Sequence, residues 1–144
     1  MRVSRAGRER SSVLMLMPAG VLIVLLLGAI AFDLSVVFLR QRQASSVAGD
    51  VANDLATSAV DEGRLRETGE FRLDPDRAEQ LGRALVAQSD VDGEILDLEV
   101  EVLGTDSVQV TLVVHVDYVF AKAIPGAADG TEVQAVATAV AVAG

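Results

Sequence analysis

Between Val13 and Phe32 the chain reads VLMLMPAGVLIVLLLGAIAF, twenty residues without a charge. At about 1.5 Å of rise per residue, a helix of that length spans about 30 Å, the thickness of a bilayer hydrocarbon core. A helix that packs on a soluble core needs one apolar stripe, and this one is apolar all round. The run therefore divides the chain into a membrane-crossing helix and whatever the following hundred or so residues build. Pro18 lies one turn inside the start of the run, where its missing N–H costs little. Arg2, Arg5, Arg8 and Arg10 precede it with a single Glu, so the positive-inside rule leaves the N-terminus in the cytoplasm and sends the body outside.

A cleavable signal peptide is the rival reading, since Ala29-Ile30-Ala31 supplies an A-x-A site and a secreted or anchored binding module would begin after Ala31. The apolar run exceeds the usual signal core of about 7–15 residues. Apolar, helix-compatible sequence also resumes at Leu34-Ser35-Val36-Val37-Phe38-Leu39, so a retained helix is expected. Asp33 is the only charge between Val13 and Leu39. A carboxylate at the bilayer edge is costly unless it reaches water or a partner. Two readings follow: Asp33 is solvated in the outer interface, or it pairs with a cation on a neighbouring subunit during assembly. Arg40 and Arg42 mark the juxtamembrane zone beyond it.

Charge is unevenly distributed. Met1–Ser12 carries a balance of +3, whereas Gln43–Gly144 has six basic and nineteen acidic residues, a balance of −13. An acidic body repels phosphate backbones, which argues against nucleic acid as a partner. The absence of Cys excludes thiol catalysis, disulfides and Cys-based zinc or iron–sulfur sites, and one histidine, His115, excludes a multi-His centre.

From Arg40 to Asp61 there is no proline, and Ala44, Ala48, Ala52 and Ala56 recur every four residues beside Val47, Val51, Leu55 and Ala59. This is an apolar stripe of small side chains on a helix whose other faces carry Asp50, Asn53, Asp54 and Asp61. It suits either the protein's own core or a stalk, residues 40–62, that packs on other copies or partners. Asp33, Ala44, Ala48, Val51, Ala52, Leu55 and Ala56 are the candidate assembly contacts.

These features together resemble the N-terminal module of the TadE/TadG-like proteins of Tad (tight-adherence, Flp-type) pilus-assembly systems. Asp33 matches the family's Asp at the membrane exit, Arg40 and Arg42 its basic juxtamembrane positions, and Ala48, Asp50 and Ala52 its Ala-x-Asp-x-Ala run. The resemblance covers roughly Arg10–Ala59. It implies a non-catalytic membrane component that contacts other pilus or secretion subunits, with copies of itself as one partner option. Prepilin-peptidase substrates resemble Gly followed five residues later by Glu; here the fifth residue after Gly7 is Ser12, which favours the TadG-like side.

For the body, an α+β fold with a pilin-like plan is expected. Asp61-Glu62-Gly63 closes the long helix, and Arg64–Leu73 forms a charged connection. Asp74-Pro75-Asp76 is an N-cap, a proline at the first helical position and an acid in the first turn, which predicts a helix over Pro75–Gln88. That helix shows Ala78, Leu81, Leu85 and Val86 on one face. Beyond Gly93 the period switches to two. Leu96, Leu98, Val100 and Val102 form one strand face, Val108 through Val116 with Tyr118 and Phe120 a second, and Thr131–Val142 a third, Ala-rich strand. Three antiparallel strands with one apolar face need helices to cover it.

Gln88–Glu99 fits part of an EF-hand loop, with Asp90, Asp92 and Glu99 at ligand positions and Gly93 at the turn. Gln88 stands where the first carboxylate belongs, and a strand follows where a helix should. The three are the calcium candidates the sequence offers, and no metal or other cofactor is expected. His115 and Asp117 share a strand face, but no nucleophile elbow, phosphate loop or metal signature accompanies them. No catalytic site is expected.

Overall fold

The computed structural model describes residues 6–141, with side chains described from Leu16 onward. Arg2 and Arg5, expected to set topology, lie outside the described residues, and of Arg8 and Arg10 only the helical backbone is described. The architecture is α+β: a long helix α1 (Ala6–Ser58), two short helices α2 (Glu62–Thr68) and α3 (Pro75–Gln88), then strands β1 (Glu94–Leu103), β2 (Ser107–Asp117) and β3 (Gly130–Val140). The strands form one antiparallel sheet in the order β1-β2-β3.

One helix among the described residues is long and apolar enough to cross a membrane, and it is α1. Its 53 residues contain Pro18 but no break. From Leu16 to Phe32 its side chains stand almost wholly clear of the protein. From Ala44 onward the same helix buries a stripe, with Ala44, Ala48, Val51, Ala52, Leu55 and Ala56 inside the core, and Ala59 just past its end is buried with them. Asp50, Asn53 and Asp54 face outward.

The sheet supplies the other side of that core. β2 alternates without exception: Val108, Val110, Leu112, Val114 and Val116 are buried, and Gln109, Thr111, Val113 and His115 lie on the opposite face. β3 turns Val133, Ala135, Ala137 and Ala139 inward. Helix α1 lies over β3 and β2, while α3 lies over β1. Small residues on both α1 and β3 let helix and sheet approach closely. The expected 40–62 stalk is therefore the central packing element of the head rather than a free rod, and it shares one core with residues 63–141.

Helix α3 starts at the capped Asp74, whose Oδ1 accepts the N–H groups of Asp76 and Arg77 at 3.0 and 3.3 Å. It buries Ala78, Gly82 and Val86 and half-buries Leu81 and Leu85. Gly82 marks the tightest crossing: a Cβ there would sit 2.8 Å from Val100 Cγ2 and 3.4 Å from Leu55 Cδ1.

Three details differ from expectation. The long helix closes at Ser58, and part of the presumed charged connection is helix α2, capped by Asp61, whose Oδ1 accepts Arg64 N–H at 3.0 Å. β1 carries an irregularity between Ile95 and Asp97, so Leu96 leaves the inward row and stands exposed. β2 ends at Asp117, so Tyr118 and Phe120 do not continue its buried face.

Candidate functional site

Asp33 lies at the end of the apolar run and is almost fully buried, at 6% exposure. Its carboxylate accepts three successive backbone N–H groups from the segment after β2. Oδ1 takes Val119 at 2.8 Å and Phe120 at 3.0 Å; Oδ2 takes Ala121 at 2.9 Å, with a longer share of Phe120 at 3.3 Å. Those donors open a short 3₁₀ turn, Ala121–Ala123, whose first N–H groups would otherwise lack partners. An ionised acceptor at the start of a helical turn makes charge-assisted bonds and meets the positive end of the local dipole. Beside it, the rings of Phe32 and Phe120 meet edge to face with centroids 5.3 Å apart. Asp33 thus clasps the long helix to the β2–β3 loop of its own chain. Both sequence readings are corrected: it is neither solvated nor free for a cation on another subunit.

A polar collar sits about two to three turns further along. Arg40 pairs with Asp92, Gln41 Nε2 donates to Gln134 O at 2.6 Å, and Gln43 Nε2 donates to Asp90 O at 2.7 Å. One helix turn therefore touches β3 and the α3–β1 turn together. This also settles what Asp90, Asp92 and Glu99 do. Asp92 is committed to Arg40, Asp90 offers its carbonyl to Gln43, and Glu99 stands on the sheet's outer face. Gly93 adopts φ 132° and passes so close to His115 O that a Cβ would come within 2.7 Å, so the segment enters β1 directly. Among the described residues no group of three or more His, Asp or Glu side chains is arranged to hold a metal ion.

The other candidate contacts are placed inside the protein. Ala44, Ala48, Val51, Ala52, Leu55 and Ala56 range from 0 to 4% exposed and face the sheet. The requirement that covered the stripe was met within the chain, because an exposed apolar sheet face lay within reach. In this conformation those side chains offer no surface to another subunit.

His115 Nε2 lies 3.5 Å from Asp117 Oδ1, beside a cleft of about 330 Å³ that Arg40, Asp92, Gly93 and Glu94 also line. No hydroxyl or thiol side chain lines that cleft.

What remains uncovered is the outer face of the sheet. Cross-strand register puts Glu94 beside His115 and Glu132, Asp97 beside Val113 and Gln134, Glu99 beside Thr111 and Val136, and Glu101 beside Gln109 and Thr138. The three strands contain no Lys or Arg. This face is broad and mixed in polarity, and its carboxylates face no Lys or Arg within the sheet. The period of two marks the apolar face in the sequence; that the acidic residues of β1 and β3 gather on the opposite face follows only from the register.

The fold and clasp define an α+β protein carried on one continuous apolar helix. No family model, characterised protein or solved structure matches this chain.

Proposed function

We propose that this chain is a non-catalytic, single-pass membrane component of a Tad/Flp-type pilus or secretion assembly, with its N-terminus in the cytoplasm and its head outside. The observation that carries the reading is α1 itself. From Leu16 to Phe32 it is bare and apolar, from Ala44 onward it is the central element of the head's core, and no break separates the two stretches. A long N-terminal helix that anchors with one half and packs under an antiparallel sheet with the other follows the general plan of pilin-like subunits, a likeness of architecture only. The resemblance of Arg10–Ala59 to TadE/TadG-like proteins points the same way. Retention of the anchor is supported by the placement of Ala29-Ile30-Ala31 inside the helix, one turn before the clasped Asp33.

Because the alanine stripe is used internally, partners meet the negative outer face of the sheet. The test is purification of the full chain from its native membranes, with the accompanying proteins identified and the N-terminus read by intact mass. Inner-membrane platform or other pilus-assembly subunits should accompany it, and Glu99→Lys with Glu101→Lys should reduce their recovery without changing thermal stability. Recovery of a soluble form beginning at Phe32 and lacking such partners overturns the reading.

A further inference from the structure

The β2–β3 loop carries apolar side chains that the protein covers only in part. Val119, Phe120 and Ile124 are 46, 47 and 53% exposed. They sit against the exit of the apolar helix, because Phe120 meets Phe32 edge to face and the loop's N–H groups hold Asp33. The opposite side of the helix fixes the depth of that contact. Leu34, Phe38 and Leu39 are exposed there, and the first charge after Asp33 is Arg40. Seven residues of helix, about 10 Å, therefore separate the loop's attachment point from the first cation along the axis. The lipid-facing surface of the helix continues past the level at which the head begins.

We propose that the Val119–Ile124 loop is a membrane-inserted wedge, bedded in the outer-leaflet interface of the bilayer that the helix crosses. The partner is phospholipid: acyl-chain upper segments for Val119, Phe120 and Ile124, and headgroup phosphate for Lys122, the chain's only lysine, which is exposed at the loop tip. Irregular backbone tolerates that depth only when its polar groups are satisfied. Five of the six N–H groups of Val119–Ile124 meet this condition. Val119, Phe120 and Ala121 donate to Asp33, Tyr118 N–H donates to Asp129 O, and Ala123, Ile124 and Ala127 donate within the loop itself. The same arrangement gives Asp33 three donors where water is scarce. An aromatic and aliphatic loop tip beside a single cation is the composition that interfacial anchors use.

The inference rests on the membrane reading above, so the experiment separates the two. The chain has no Cys, which allows single substitutions Leu26→Cys in the helix, Ile124→Cys in the loop and Thr105→Cys in the turn at the far end of the sheet. Each full-length variant is labelled with an environment-sensitive fluorophore and reconstituted at low protein density into phosphatidylethanolamine–phosphatidylglycerol vesicles. Quenching is then measured with shallow nitroxide lipids and with aqueous iodide. The expected result is several-fold stronger nitroxide quenching at 124 than at 105, with matching protection from iodide that does not change with protein density. Iodide access at 124 equal to that at 105, while 26 remains lipid-quenched, overturns the wedge alone. Protection at 124 that grows with protein density assigns the loop to a second copy and also overturns it. Loss of lipid quenching at 26 removes the membrane reading and the wedge together.

Discussion

The alanine stripe supports a decisive experiment, because one substitution separates internal packing from subunit contact. Ala48 and Ala52 are 0 and 1% exposed beneath the sheet. Ala48→Leu changes helix propensity little, since both residues are strong helix formers. What it adds is three carbons, an isopropyl group on Cβ, where helix and sheet are in close contact, and the inward row of β3 opposite is itself mostly alanine. Overpacking of that kind costs about 1–3 kcal/mol. For a head of this size each kcal/mol lowers Tm by about 4–8 °C, so a single Leu should lower it by roughly 5–20 °C. Ala52 lies one turn along the same stripe, so the double variant will not be additive, and it approaches the total stability of about 5–15 kcal/mol typical of small domains.

The assay is thermal unfolding of full-length protein in mild detergent, followed by near-ultraviolet and far-ultraviolet circular dichroism. Asn53→Leu on the exposed face of the same helix is the control and should shift stability by less than about 0.5 kcal/mol. If Ala48→Leu left Tm within about 2 °C of the parent yet abolished recovery of partners, the stripe would be a subunit contact and the packing described here would be wrong.

Other expectations follow from individual contacts. Asp33→Asn turns one of two accepting oxygens into a donor, so amide exchange at Val119, Phe120 and Ala121 should accelerate while the strands stay protected; unchanged exchange at those three amides would refute the clasp. Gly82→Ala should destabilise through its 2.8 Å approach to Val100 Cγ2, and Val100→Ala in the same chain should recover most of that loss, giving a coupling of about 0.5–3 kcal/mol in a double-mutant cycle. Arg40→Ala removes a partly exposed ion pair and should cost no more than about 1 kcal/mol, an effect that shrinks further in high salt. Millimolar calcium should leave Tm unchanged, because Asp92 is held by Arg40 and Glu99 sits on a strand; a calcium-dependent rise in Tm that Asp92→Asn removes would contradict this.

Where a signal was local, sequence reading reached the structure. Asp74-Pro75-Asp76 carries its own capping chemistry, and α3 begins and ends at the expected residues. The period-two alternation from Val108 to Val116 is a property of one strand and predicted its buried face in full. Features that depend on distant neighbours were not legible. The β1 irregularity at Leu96 arises from pairing with β2, and the alternation of apolar residues continues through it unmarked. Tyr118 and Phe120 keep the period of β2, yet the clasp bends the chain away after Asp117. Helix α2 is seven residues long and buries none of them, so it left no periodic stripe; its one local signal was the Asp61 cap.

Asp33 shows most clearly why a site can be conspicuous in sequence and still be misread. A carboxylate closing an apolar run announces a cost, and the cost demands a partner, but the sequence suggests partners only among charged side chains. Here the partners are backbone N–H groups 86 to 88 residues away. Every residue except proline carries such a group, so no residue type marks them. The same logic explains the alanine stripe, whose partner was the chain's own sheet. With both features used internally, the surfaces left exposed are the apolar helix, the loop beside it and the acidic sheet face. If the proposed assembly forms, substitutions on that sheet face should weaken it without altering stability, whereas substitutions at Asp33 or in the stripe should alter stability first.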